Sequence, residues 1–227
     1  MLFFTEQGRC YWLNVYEIPE GEKTGKGRAI QNLIQIPPDD KVRAIIDVKD
    51  LKDEAFVNSH NIVLCTKKGI IKKTALEDFS RPRQSGVNAI TILAGDELLE
   101  AKMTDGTSEI MMAVKSGRAI RFSETKARAT GRGAIGVAGI EVEDDDDEVV
   151  GMICVNPQAE ELKTVLVVSE KVFGKRTGVD EYRFTNRGGK GVKTINVTPK
   201  TGKLVGMLEV SPKEDLVITC KSGVTIR

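Results

Sequence analysis

The sequence predicts an all-β, propeller-like disc, and three observations carry that prediction. The first is repetition. Hairpin signals stand at Gln7-Gly8, Lys68-Gly69, Ser116-Gly117, Glu170-Lys171 and Ser222-Gly223, their second residues 61, 48, 54 and 52 positions apart. A period of this size marks wheels, solenoids and arrays, in which function lies on the surface the repeats jointly create. The second is the short apolar run before each turn: Leu2-Phe3-Phe4, Ile62-Val63-Leu64, Ile110-Met111-Met112, Val165-Leu166-Val167-Val168 and Leu216-Val217-Ile218. Runs of this length that end in a turn read as buried strands. The third is composition: 40% of residues are hydrophobic but only 5% aromatic, which favours many thin β layers over one bulky core.

Each element of the unit has its own reason. Glycine in the second turn position supplies the positive φ of a tight hairpin. The fourth unit carries Lys171 there instead, so its turn is expected to be strained or shaped differently. Past the second strand come Asn14 with Glu17, Thr74 with Glu77 and Thr177 with Asp180, each spaced as a capping box for one helical turn; Ser123 with Lys126 is an incomplete copy. A glycine loop then enters another apolar segment at Gly27-Arg28-Ala29-Ile30, Gly86-Val87-Asn88-Ala89-Ile90, Gly136-Val137-Ala138-Gly139-Ile140 and Gly191-Val192-Lys193-Thr194-Ile195. A polar turn and a last strand close the unit, as in Asp147-Glu148-Val149-Val150-Gly151-Met152 and Gly202-Lys203-Leu204-Val205-Gly206-Met207. About four strands per period of about 50 residues is the arithmetic of a propeller blade.

Several function classes lose ground on composition. No stretch approaches 18 consecutive apolar residues, and the N-terminus lacks a basic segment and apolar h-region, so a cytoplasmic protein without a membrane partner is expected. Cys10, Cys65, Cys154 and Cys220 stand singly, without zinc or redox spacing, and read as reduced structural residues. His60 is the only histidine; it reads as a solvated loop residue, and no catalytic base or metal site is expected. Gly131-Arg132-Gly133-Ala134-Ile135-Gly136 spells a dinucleotide fingerprint but lies between no strand and long helix. The acidic run from Asp144 to Asp147 lacks the glycine and distal glutamate of a calcium loop and reads as an exposed turn.

A net charge of +1 hides a pattern. Residues 62–90 carry net +4, 91–109 net −4, 110–140 net +5, 141–164 net −8 and 165–195 net +4. The sign alternates in phase with the repeat. If the units stand side by side in a wheel, the basic halves join into a positive band of the kind a phosphate backbone seeks. Arg187-Gly188-Gly189-Lys190-Gly191 is the sharpest local signal, with three glycines to bring backbone N–H groups near a phosphate and two cations to hold it.

The repeats, the basic loops and this glycine motif together resemble the C-terminal domain of DNA gyrase A. The stretches Gly8-Arg9-Cys10-Tyr11-Trp12, Val15-Tyr16-Glu17-Ile18-Pro19, Gly69-Ile70-Ile71-Lys72-Lys73-Thr74, Gly95-Asp96-Glu97-Leu98 and Gly174-Lys175-Arg176-Thr177 carry the resemblance along essentially the whole chain. It implies that residues 1–227 form a single β-pinwheel domain, a propeller-like disc whose blades exchange strands, with about five blades visible of a usual six. It implies a fragment that starts after the first-blade position of the family's Gln-Arg-Arg-Gly-Gly-Lys-Gly box and ends inside a hairpin at Ile226-Arg227, Arg187 to Gly191 being a later copy of the box's last five letters. The implied role is non-catalytic: duplex DNA bends around the basic rim, so that the gyrase complex introduces negative supercoils. Implied partners are duplex DNA and, in the parent heterotetramer, the N-terminal domain of gyrase A together with gyrase B. The isolated fragment is expected to be a monomer in the bacterial cytoplasm, associated with the nucleoid, with no cofactor of its own; ATP and Mg belong elsewhere in the parent complex.

The expected DNA contacts are Lys72, Lys73, Arg81, Arg83, Arg121, Lys126, Arg128, Arg132, Lys175, Arg176, Arg183, Arg187, Gly188, Gly189, Lys190, Gly191 and Lys193. With about eight phosphates neutralised, log affinity is expected to fall with log salt at a slope near −7. The corresponding C-terminal domain of topoisomerase IV is the alternative within this class, and a propeller scaffold that binds proteins is the alternative outside it. A scaffold would present aromatic anchors, of which this chain has few.

Overall fold

The computed structural model describes residues 1–226 except 23, 24, 26, 160–163 and 220–222. Cys220, Ser222 and Arg227 of the sequence reading, and residues 160–163 of its most acidic segment, lie outside the described residues. The first unit contributes β1 (Leu2–Thr5), β2 (Arg9–Trp12) and β3 (Val42–Ile46), followed by a short helix α1 (Glu54–Ser59). The second has β4 (Asn61–Thr66), β5 (Ile70–Ala75), β6 (Val87–Asn88) and β7 (Leu98–Thr104). The third has β8 (Glu109–Val114), β9 (Arg118–Ser123), β10 (Val137–Ala138) and β11 (Val149–Val155), and the fourth β12 (Thr164–Ser169), β13 (Gly174–Gly178), β14 (Val192–Lys193) and β15 (Leu204–Val210). A hairpin of β16 (Ile218–Thr219) and β17 (Thr225–Ile226) begins a fifth.

The strands do not stay within their units. The sheet orders are β3-β1-β2-β6, β10-β5-β4-β7, β11-β8-β9-β14 and β13-β12-β15. The short third strand of each later unit therefore pairs with the second strand of the unit before it: Val87 with Cys10, Val137 with Ile71, Val192 with Ala119. This is the strand exchange of a β-pinwheel. The described residues hold three four-stranded blades, one three-stranded blade and a two-stranded hairpin, fewer complete blades than the five hairpin signals suggest. β3 packs on β7, β7 on β11 and β11 on β15, so the last strand of each unit lies innermost and the exchanged strand lies on the outer edge.

The apolar runs are continuous because a blade is covered on both faces. Alternate residues of one strand face opposite neighbours. Ile62 and Leu64 of β4 join Leu2, Phe4, Leu76 and Phe79, whereas Val63 and Cys65 join Ile110, Met112 and Phe122. Likewise Met111 and Ala113 of β8 turn away from that layer to meet Val165, Val167 and Tyr182. The outer face of the first blade is covered by its own unit: Ile30, Leu33, Ile34 and Ile36 pack on Phe3, Tyr11 and Leu13. Ile30–Asn32 is accordingly a 3-10 turn, where the later units form a short strand just after the equivalent glycine.

Other local expectations divide. Asn14 and Glu17 form the predicted box, the Glu17 carboxylate accepting from the Asn14 N–H at 2.9 Å. Thr74 does not cap: the turn starts from Ala75, and the Thr74 hydroxyl is occupied by Lys72. Thr177 is buried, its hydroxyl without a partner among the described residues, and Gly178 caps instead. Ser123 does cap, through the Thr125 N–H. The helix α1, entered through Asp53 accepting from Phe56 N–H at 3.1 Å, has no counterpart in the repeat among the described residues. It also corrects the view of His60, which stacks on Phe56 with ring centroids 4.0 Å apart and is half-buried.

Candidate nucleic-acid interface

Three equivalent loops run along the outer edge of the disc, each between a 3-10 turn and an exchanged strand: residues 81–86, 128–136 and 183–191. Each ends in a glycine of positive φ, Gly86, Gly136 and Gly191. That glycine lies against the second strand of the preceding blade; a Cβ at Gly136 would stand 2.6 Å from the Ile71 carbonyl oxygen, so no side chain fits there. Where an arginine follows the hairpin it clamps the arriving loop. Arg9 donates to Ser85 O at 2.8 Å and Arg118 to Lys190 O at 3.1 Å.

The loops are also tied to one another. Thr91, at the exit of β6, donates its N–H to Ala134 O at 3.1 Å and its hydroxyl to Gly133 O at 2.8 Å. One unit later Glu141 N–H bonds Gly189 O at 3.0 Å, and Gly188 N–H bonds Gly139 O at 2.6 Å. The basic loops thus form one hydrogen-bonded band along the rim. The opposite, acidic halves cluster at the hairpin ends, where Asp40, Asp96 and Asp147 occupy one repeated slot. Each accepts the N–H of a hairpin residue, Gln7 at 3.1 Å, Lys68 at 2.9 Å and Ser116 at 3.0 Å. Asp144, Asp145 and Asp146 are exposed, as an exposed turn requires, whereas Asp147 is buried and scaffolds the turn.

The seventeen expected contacts fall into three groups. Lys72 and Lys73 lie in the interior, a correction to the expectation that they reach phosphate. Lys72 is 1% exposed, its Nζ donating to Ala89 O at 2.8 Å and Thr74 Oγ1 at 2.5 Å. Burial pulls its ammonium down from 10.5 to about 8, against the attraction of Asp78 and with added repulsion from Arg132. Lys73 donates to Glu124 O at 3.1 Å and pairs with the fully buried Glu124 carboxylate at 3.6 Å. In a sheet with one solvated face, alternation along β5 would expose one of the pair; blades on both faces enclose both.

A second group is committed to structure at the rim. Arg121 pairs with Glu109 at 2.7 Å and donates to Val179 O and Tyr182 O at 2.8 and 3.1 Å. Arg187 donates to Lys126 O at 2.9 Å and Ala138 O at 3.0 Å, so it anchors the loop rather than reaching outward. Lys190 is exposed but neighbours Glu143 at 3.2 Å and Glu141 at 3.8 Å. The Gly188 N–H is occupied, and Gly191 serves strand packing, which leaves Gly189 as the glycine of the motif with neither duty.

The third group faces solvent: Arg81, Arg83, Lys126, Arg128, Lys175, Arg176, Arg183 and Lys193 are exposed and Arg132 half-exposed. Lys193 bonds Asn196 at 3.0 Å. Arg28, exposed after Gly27 in the first unit's loop, is absent from the expected contacts although the repeat alignment places it one residue past the same glycine slot. Many other cations are consumed by the acidic turns. Lys67 and Arg43 pair with Glu97 at 2.7 and 3.1 Å, and Lys115 pairs with Glu148 at 2.7 Å. The positive surface is thus narrower than the alternating charge blocks suggest, and concentrated in the loops.

A disc of strand-exchanging blades with a loop-built basic rim defines a class, the β-pinwheel domains of type II topoisomerases. The chain belongs to the DNA gyrase C-terminal domain, beta-propeller family, whose model matches residues 1–49, 60–105, 108–156 and 163–211. It is 41% identical over 227 residues to the DNA gyrase A protein of Staphylococcus epidermidis (strain ATCC 12228 / FDA PCI 1200), and 40% identical to that of Staphylococcus aureus (strain NCTC 8325 / PS 47). In both, all of this chain aligns with 25% of the relative, so it spans about a quarter of their length. Among solved structures, a DNA gyrase A C-terminal domain superposes with TM-score 0.80 at 25% identity, over 99% of this chain and 70% of that one. The C-terminal domain of a DNA topoisomerase IV shares the fold with TM-score 0.85 at 21% identity, over 99% and 68%. No helix among the described residues is long and apolar enough to cross a membrane.

Proposed function

We propose that this domain binds duplex DNA along its rim and bends it, as the wrapping element through which a gyrase introduces negative supercoils. The observation that carries the reading is the hydrogen-bonded succession of basic loops on the outer edge, with the acidic turns segregated at the hairpin ends. The contact set is Arg81, Arg83, Lys126, Arg128, Arg132, Lys175, Arg176, Arg183 and Lys193, joined by Arg28, with Lys190 exchanging its glutamates for phosphate. These are long side chains aimed at a backbone, so the affinity is mostly charge neutralisation; sequence enters through the cost of bending. The partners in the parent complex, gyrase B and the remainder of gyrase A, belong to this proposal, as do the nucleoid location and the supply of ATP and Mg from that complex. Identity of 41% to a gyrase A protein supports gyrase over topoisomerase IV.

The test is binding to duplexes of about 30 and 150 base pairs across a salt series. Wrapping predicts tighter binding to the longer duplex than its number of sites explains, with a log–log slope near −7 for about eight phosphates. A slope near zero, or equal affinity per site for the two lengths, contradicts it.

A further inference from the structure

We infer that Arg81, Arg83 and Arg132 act together as one clamp for a single phosphodiester of the duplex, set across the joint between the second and third units. The inference deepens the DNA-binding reading and rests on it. The three guanidiniums line one cavity of about 310 Å³ with Glu77, Asp78 and Ser80, room for about ten waters and hence for a phosphate group with part of its hydration. Two of the arginines come from one loop and the third from the next. None of the three guanidiniums makes a hydrogen bond or an ion pair among the described residues, although Glu77 and Asp78 share the cavity. At the hairpin ends, by contrast, the carboxylates take up their neighbouring cations, as Glu97 and Glu148 do.

The backbone holds the three in place. Pro82, between Arg81 and Arg83, has a fixed φ, and Gly86 N–H bonds Arg83 O at 3.0 Å. Arg132 sits inside the turn closed by Ala134 N–H on Gly131 O at 3.1 Å, and the Thr91 bonds fix that turn to the second unit. Three guanidiniums against two carboxylates leave the cavity an excess of positive charge, and an anion held between the arginines offsets it. Guanidinium supplies the planar fork that matches phosphate oxygens bidentately. Because the donors span two units, a phosphate seated here also ties one blade to the next at the surface where the duplex curves.

The experiment is a double-mutant cycle on duplex affinity. Arg81→Ala, Arg132→Ala and the double variant are titrated with a duplex of about 150 base pairs across salt, beside a reference cycle of Arg81→Ala with Arg183→Ala. Circular dichroism and thermal melts confirm that every variant is folded. Each single change in the clamp is expected to weaken binding roughly tenfold. The double is expected to be little worse than either single, and both lower the salt slope by about 0.9, the share of one phosphate. The reference pair multiplies and lowers the slope twice over. Arg132→Lys keeps the charge without the fork, so it retains the slope while losing most of the affinity. Multiplication in the Arg81–Arg132 cycle, or full affinity in Arg132→Lys, overturns the clamp. If the unsubstituted protein binds no duplex, the proposed function fails separately, and calorimetry with pyrophosphate decides the clamp: binding that depends on Arg132 assigns it a free phosphoryl ligand, and absence of binding overturns it.

Discussion

Val172 occupies the hairpin slot held by Gly8, Gly69 and Gly117 in the first three units. Its N–H closes the same turn, onto Ser169 O at 2.9 Å, and it is the one non-glycine residue with positive φ among those described, at 62°. The departure expected at Lys171 thus lies one residue later. A β-branched residue is strained in this region, so Val172→Gly is expected to raise stability by about 1 kcal/mol, after its own entropic cost, as a thermal midpoint increase of about 2–4 °C. An unchanged midpoint would mean the turn relaxes around valine. Lys72 makes a prediction in pH. Its folded pKa is depressed to about 8 from 10.5, so between these values the unfolded chain binds the extra proton, and stability rises with pH across that window. Below about 8 both states are charged and the dependence vanishes. Lys72→Met is expected to remove the rise between pH 8 and 10.5, read from urea midpoints at each pH.

At the scale of the element, one repeated device joins the blades. The fourth residue past each hairpin glycine, near the end of the second strand, donates to a carbonyl in the next unit's 3-10 turn. Trp12 reaches Phe79 O at 2.9 Å, Lys73 reaches Glu124 O at 3.1 Å and Arg121 reaches Val179 O at 2.8 Å. Arg176 is the fourth in this series and is exposed. The same position is a blade latch in the first three units. Arg121→Ala is expected to cost about 3 kcal/mol, because it leaves the half-enclosed Glu109 carboxylate unpaired and the Val179 and Tyr182 carbonyls without their donor. Arg128→Ala, on the neighbouring loop but exposed, is expected to change stability by less than about 0.5 kcal/mol while weakening duplex binding. Denaturant melts beside binding titrations check the pair; a stability loss at Arg128 or none at Arg121 would reverse the assignment of latch and rim.

For the whole molecule, the layering of blades decides where charge goes. Inner strands pack around the centre, hairpin ends gather the carboxylates, and the outer edge is left to the loops. A net charge of +1 is compatible with a polyanion partner because the two signs lie on different parts of the disc. Neutralising the loops alone is therefore expected to weaken binding severely: Arg81, Arg128 and Arg183 all changed to Ala should lower the salt slope by about 2.7. Changing hairpin-end Lys67 and Lys115, which are already paired with Glu97 and Glu148, should leave the slope within experimental error.

What the sequence determined by itself was the repeat and all that local chemistry imposes on it. Apolar runs ended by Gly8, Gly69 and Gly117 specify hairpins, the glycine loops specify where the chain crosses to its neighbour, and the alternating charge assigns a sign to each half-unit. Those signals are local, carried by residues a few positions apart. The tertiary structure alone decided which strand pairs with which blade, since Val87 meets Cys10 across 77 positions and no short-range pattern encodes that partner. It also decided the fate of each cation. Lys72 and Arg81 are both basic residues in basic halves, yet one is enclosed between stacked sheets and the other lies open on the rim. Burial is set by the blade packed on top, and the side chain's own chemistry does not report it.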